Sequence, residues 1–187
     1  MSGTVSKIKY AMSLRKPQEE ALSYLDAIST HCDYKCDDKE TIEAAASEYS
    51  ENNRKVRTKF DFPSFCYNMA TGIGKTRLMG ACIYYLYKTK GYKHFFILAP
   101  GNTIYDKLRN ESNPAHPKYI FKGLEAEMGR PRVWDGENYD QYPVKYEQGS
   151  LFVDQMSEIQ LFIFNIGKIF NSKTDTQFNF HKFKETL

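Results

Sequence analysis

Nowhere does this sequence hold an apolar run long enough to span a bilayer. Its first residues, Met1-Ser2-Gly3-Thr4, lack the charged-then-apolar order of a secretion signal, so a cytoplasmic protein with no membrane partner is the expectation. Excess charge of one sign is also scarce: 26 Lys and Arg against 23 Asp and Glu leave +3. That balance neither demands nor excludes nucleic acid, because binding follows local clustering of charge and not the total. No internal repeat or low-complexity tract occurs, which sets aside repeat architectures. Cysteine is sparse, four in 187 residues. Cys66 and Cys82 fall inside a predicted strand and a predicted helix, where a reduced thiol acts as small apolar filler. Cys32 and Cys36 lie beside His31, but no second ligand pair at a zinc spacing follows, so no metal is expected there.

What is present is organised around Asn68-Met69-Ala70-Thr71-Gly72-Ile73-Gly74-Lys75-Thr76. A Gly-rich turn that opens a helix gathers backbone N–H groups and the positive helix end in one small space, and Lys75 adds a full charge. Gly72 and Gly74 can take positive φ and let the backbone approach a phosphoryl oxygen. In this reading Lys75 reaches the β- and γ-phosphates and Thr76 sets its hydroxyl on Mg²⁺. The strict phosphate-loop pattern fails by one position, since Met69 stands where its first glycine belongs.

The surroundings support the loop. Ser64-Phe65-Cys66-Tyr67 before it reads as a strand. Leu78, Ala81, Cys82, Tyr85 and Leu86 after it form one apolar helical stripe, which Gly91 stops. His94 to Ala99 then reads as a buried parallel strand closed by Pro100-Gly101, so the whole is a βαβ unit.

With 187 residues the chain suits one domain and can bury a substantial core. Ile8, Tyr10 and Met12 alternate, as in a short edge strand or an ordered arm. Pro17 and the acids Glu19 and Glu20 start a helix on which Gln18, Ala21, Leu22 and Leu25 share a face. Gln18 is the polar member; a glutamine amide can pair with both the N6 donor and the N7 acceptor of adenine, or simply sit at a rim. Residues 31–60 read as an insertion, with a helix started near Asp37 or Asp38 carrying Ile42, Ala45, Ala46 and Tyr49. The basic stretch Arg54 to Lys59 that follows is a solvated loop or a nucleic-acid contact. Asn102 or Thr103 can cap a helix through Arg109. Short strands are expected at Tyr119-Ile120-Phe121 and Arg132-Val133-Trp134, and a third strong apolar run spans Ile159 to Asn165.

Leu14 to Gln18, Met69 to Arg77, Phe95 to Tyr105 and Ile163 to Ile169 together resemble the start of a superfamily-two helicase, closest to the restriction (Res) subunit of type III restriction-modification enzymes. The resemblance covers nearly the whole chain and is least at residues 31–60. It implies an α/β fold, a partial RecA-like phosphate-loop domain whose central, mainly parallel sheet is flanked by helices. Residues 1–60 would be a helical segment with a Q-type motif and an insertion, and residues 61–187 the first part of the first motor domain. In that superfamily the position of Met69 is often not glycine.

The same likeness implies that Gln18 contacts adenine and that Ala70, Thr71, Gly72, Ile73, Gly74, Lys75 and Thr76 bind ATP and Mg²⁺, with Lys75 and Thr76 in the catalytic set. Pro100, Gly101, Asn102 and Thr103 would meet the backbone of duplex DNA, with Lys168 in a second strand-contacting turn from Asn165. The parent enzyme would move on DNA by ATP hydrolysis, cleave it, and work with a methyltransferase-type (Mod) subunit.

One departure bears on activity. Such ATPases need an acidic pair after an apolar strand, and the nearest match, Leu151-Phe152-Val153-Asp154-Gln155, has a single acid. The chain is therefore expected to stop before that motif, and to bind nucleotide without turning it over. A helicase or translocase lacking a nuclease, and a degenerate nucleotide-binding module without a motor, are the alternatives. A small-molecule kinase also uses such a loop but leaves Gln18 and Pro100 to Thr103 unexplained.

Overall fold

A computed structural model describes residues 2–30, 39–48, 64–142 and 159–167 of the chain. It has two compact units, Met1–Lys90 and Gly91–Leu187. Among the described residues, no helix is long and apolar enough to cross a membrane.

The first unit is helical where it is regular. Helix α1 (Gly3–Met12) replaces the expected edge strand or arm. The reason is the position of Val5: with Ile8 and Met12 it makes a helical stripe that is fully buried, worth about 2 kcal/mol per side chain. A strand would have turned Tyr10 inward with Ile8 and Met12, and Tyr10 is 77% exposed. Ser2 caps α1 through its hydroxyl, and Ser13 ends it with φ 49°.

Helix α2 (Lys16–Ser29) holds Pro17 in its first turn and buries Gln18, Ala21, Leu22 and Leu25 on the expected face. Asp26 of α2 is buried as well, and it accepts from the Ser2 amide (3.0 Å), the Ser2 hydroxyl (2.7 Å) and the Tyr85 hydroxyl (2.9 Å). Three charge-assisted bonds offset the cost of burying the carboxylate. Helix α3 (Lys39–Glu48) sets Ile42 and Ala45 against Ile28 of α2. Tyr49, the basic stretch Arg54 to Lys59, and the cluster His31, Cys32 and Cys36 lie outside the described residues.

Residues 64–70 carry no regular structure, contrary to the expected strand. An extended run becomes a strand only by pairing, and this one is not part of the sheet. Phe65 and Cys66 are exposed there, so Cys66 is not core filler. Helix α4 (Lys75–Lys90) follows the loop and ends before Gly91, whose φ is 71°. It buries Leu78, Ala81 and Tyr85 as expected, and Ile83 and Tyr84 besides. Cys82 and Leu86 of the expected stripe are only half-buried, yet desolvation pushes the Cys82 thiol up to about 12.

The second unit carries a three-stranded parallel sheet in the order β1-β3-β2, with β1 at His94–Ala99, β2 at Arg132–Trp134 and β3 at Gln160–Asn165. The mixed α/β class with a parallel sheet is thus as expected. All six residues of β3 are buried, which suits a central strand. Strand β1 is an edge and departs from the fully buried strand expected: Ile97 and Ala99 are covered, while Phe96 and Leu98 are exposed. Helix α5 (Asn102–Glu111) packs on β1 and β3. Trp134, Tyr142, Phe162 and Phe164 form an aromatic cluster against the sheet, where the Trp134 indole N–H donates to Gln160 Oε1 at 2.6 Å.

Tyr119, Ile120 and Phe121 are buried but form consecutive turns and not a strand. Two of their amides are spent outside any sheet, that of Tyr119 on the His116 carbonyl and that of Ile120 on the Glu111 carbonyl. The short helix α6 (Glu125–Met128) follows.

Candidate functional site

In the first unit the loop from Ala70 to Thr76 has the backbone its glycines allow. Gly72 has φ 82° and Gly74 φ 95°, a region in which a side chain is strained. Their reasons differ. A Cβ at Gly72 would meet nothing within 4 Å, so φ alone requires glycine there. A Cβ at Gly74 would stand 2.6 Å from Gln18 Nε2, so close approach requires it too. Lys75 opens α4 and is exposed; Thr76 follows it in the first turn and is half-buried.

The loop is held by its carbonyls. Gln18 Nε2 donates to the Gly74 carbonyl at 2.8 Å, and that oxygen also accepts the Leu78 N–H of α4 at 3.1 Å. Arg15 Nη1 donates to the Gly72 carbonyl at 3.3 Å. Gln18 is itself fixed, since its Oε1 accepts the Arg15 amide at 2.8 Å. Arg77 anchors the start of α4 through the Met12 carbonyl. No peptide here is cis, and in a trans peptide the N–H points opposite to the carbonyl before it. Holding the Gly72 and Gly74 carbonyls toward α2 therefore turns the Ile73 and Lys75 N–H groups away from it. Two amides, the start of α4 and the charge of Lys75 are thus gathered in one short stretch, a donor set of the kind that suits an oligophosphate.

Among the described residues no group of three His, Cys, Asp or Glu could hold a metal ion.

In the second unit the expected DNA-contact residues Pro100 to Thr103 sit at the carboxyl end of β1. Pro100 and Asn102 to Ile104 are exposed, and Gly101 is the N-cap of α5. Asn102 and Thr103 are thus the first residues of the helix and not its cap, with a physical cause: Asn102 Oδ1 accepts from Asn165 Nδ2 at 2.6 Å. Asn165 Oδ1 in turn accepts the Gly167 N–H at 2.8 Å. Lys168, like Asp154 and Gln155, lies outside the described residues.

Sequence reasoning missed Arg15 as a holder of the loop and Asn165 as the partner of Asn102. It also missed Arg109 of α5, which bonds Asp135 Oδ2 at 2.7 Å and grips Glu137 with both terminal nitrogens. The Glu137 hydrogen bond above all raises the Arg109 pKa. Arg109 lines a concavity of about 600 Å³ with Ser112, Asn113, Arg130, Arg132 and Asp135, which includes none of the expected site residues.

The family model described as type III restriction enzyme, res subunit, matches residues 11–186. The chain belongs to the type III restriction enzyme Res subunit family. A curated relative from Haemophilus influenzae, "Probable type III restriction-modification enzyme HindVIP Res subunit", is 46% identical over 56 residues. That stretch is 29% of this chain and 11% of the relative, so the chain spans a small part of the length of the curated protein it matches. No solved structure matches the chain.

Proposed function

We propose that this chain is the ATP- and DNA-binding amino-terminal part of a Res subunit, in a cytoplasmic enzyme that translocates on duplex DNA, cleaves it, and acts with a Mod-type partner. Residues 61–187 would be the first part of the first RecA-like motor domain, with residues 1–60 a helical segment preceding it. Ala70 to Thr76 hold the phosphates, Lys75 neutralises the β- and γ-oxygens and Thr76 serves Mg²⁺. Pro100 to Thr103, with Lys168, meet the DNA backbone, where contacts position a protein without reading sequence. ATP supplies the free energy of movement in the parent enzyme.

The observation that carries this reading is the loop itself: two positive-φ glycines, carbonyls drawn to α2, and Lys75 at the first residue of α4. Family membership supports it. Titration of the chain with ATP and Mg²⁺, against Lys75→Ala, tests it. Loss of at least tenfold in affinity is expected, since about 1.4 kcal/mol of charge-assisted bonding corresponds to that factor. Equal affinity of the two proteins would refute it.

A further inference from the structure

We infer that Gln18 is a positioning residue that braces the phosphate loop from behind and serves every nucleotide alike, whatever its base. The inference rests on the nucleotide reading above, but it assigns Gln18 a role other than recognition of adenine.

Gln18 is 1% exposed, and both ends of its amide are committed. Its Oε1 accepts the Arg15 N–H at 2.8 Å and its Nε2 donates to the Gly74 carbonyl at 2.8 Å. Reading adenine takes one donor and one acceptor presented side by side to the base edge. Each amide atom keeps one further hydrogen-bonding position, yet a side chain this covered offers no edge to a planar base without leaving its place. Leaving would strip the Gly74 carbonyl of one of the two bonds that aim it, and keep only the longer one from the Leu78 N–H.

The aim matters because of what lies on either side. Gly72 and Gly74 are the residues with the greatest backbone freedom, so a loop built on them does not hold its own amides in one direction. Gln18, together with the Leu78 N–H of α4, fixes the Gly74 carbonyl and, through the trans peptide, the Lys75 N–H. Arg15 does the same for Gly72 and the Ile73 N–H over a longer 3.3 Å contact. The fit is close: a Cβ at Gly74 would stand 2.6 Å from Gln18 Nε2, so any side chain there would displace the amide from its bond. Ligand affinity gained this way comes from preorganisation, and it is indifferent to any part of the ligand beyond the phosphates.

The test compares ATP, GTP and inorganic tripolyphosphate, each with Mg²⁺, on the full chain by calorimetric titration. Gln18→Ala should weaken all three by the same factor, about tenfold for one lost hydrogen bond. Gln18→Glu keeps the acceptor for Arg15 and the size of the side chain but sets a carboxylate against the Gly74 carbonyl, so it should do at least as much damage while preserving the packing of α2. Amide exchange in the ligand-free chain supplies a readout that general loosening would not give: residues 71–76 should exchange faster in both variants while the middle of α4 keeps its protection. A loss confined to ATP, with GTP and tripolyphosphate unchanged, would overturn the brace in favour of adenine reading. Unchanged affinity for all three would overturn it outright. Binding of none of the three by the unsubstituted chain would sink the nucleotide reading, and the brace with it.

Discussion

The side-chain amide of Asn165 donates to Asn102 Oδ1 at 2.6 Å while accepting the Gly167 N–H at 2.8 Å. This chain of donors has only one polarity. A backbone N–H cannot accept, so Asn165 must present its oxygen to Gly167 and its nitrogen to Asn102, which leaves Asn102 with its own nitrogen for a further partner. Asn165→Asp keeps the bond to Gly167 but faces Asn102 Oδ1 with a second acceptor. A loss of about 1 kcal/mol in stability is expected from the part-buried, unmatched pair, measured by urea unfolding. If the turn at Gly101 to Thr103 meets DNA as proposed, duplex affinity falls as well. An Asn165→Asp protein as stable as the parent would show that the latch is not formed.

The two loop glycines should respond unequally to alanine. Gly72→Ala meets only the strain of a positive φ, about 1–2 kcal/mol. Gly74→Ala meets that strain and the Gln18 amide, so it should cost more. Adding Gln18→Ala removes the collision and should bring the Gly74 variant back towards the Gly72 one. A double-mutant cycle reads this directly: additive losses would contradict the contact.

Tyr119 is buried, and its hydroxyl is, among the described residues, a buried polar atom with no hydrogen-bond partner. Burial above all, then the charge of Glu125, pushes its pKa up to about 12. Tyr119→Phe keeps the edge-on contact with Phe121 at 5.6 Å and removes the unmatched group. Stability should rise by about 1 kcal/mol, seen as a higher urea midpoint at unchanged slope.

Burial, and then the neighbouring Lys93 charge, hold the His94 imidazole below its ordinary value of 6.5. The folded chain therefore resists protonation that the unfolded chain accepts. Stability is present in full above pH 6.5 and is lost as pH falls from there through the folded pKa. His94→Gln should flatten that slope in unfolding curves taken between about pH 7.5 and 5. A slope unchanged by the substitution would assign it to another group.

The parts of this chain that can be read ahead are those whose chemistry is local. Gly72 and Gly74 announce their backbone because no other residue takes it at so small a cost, and Ile159 to Asn165 announces a central strand by being apolar throughout. The parts that cannot be read depend on distant partners. Ser64 to Tyr67 has strand composition but pairs with no strand among the described residues. Tyr119 to Phe121 has a similar composition and forms turns, because Pro114, Pro117 and Gly123 around it favour chain reversal. Arg15 reaches a carbonyl 57 residues away, and Asn165 an amide 63 residues away; neither spacing leaves a trace in composition or period. In α1 it is the period that misleads, as Val5 breaks the alternation that Ile8, Tyr10 and Met12 suggest.

The order β1-β3-β2 also governs when the second unit can exist. Strands β1 and β2 bond to β3 and not to each other, so a nascent chain leaving the ribosome carries both as unclaimed ribbons until residues 160–165 emerge. Any ribosome that stalls before that point holds a chain with two sticky edges and no sheet, a substrate for chaperones and not yet a domain.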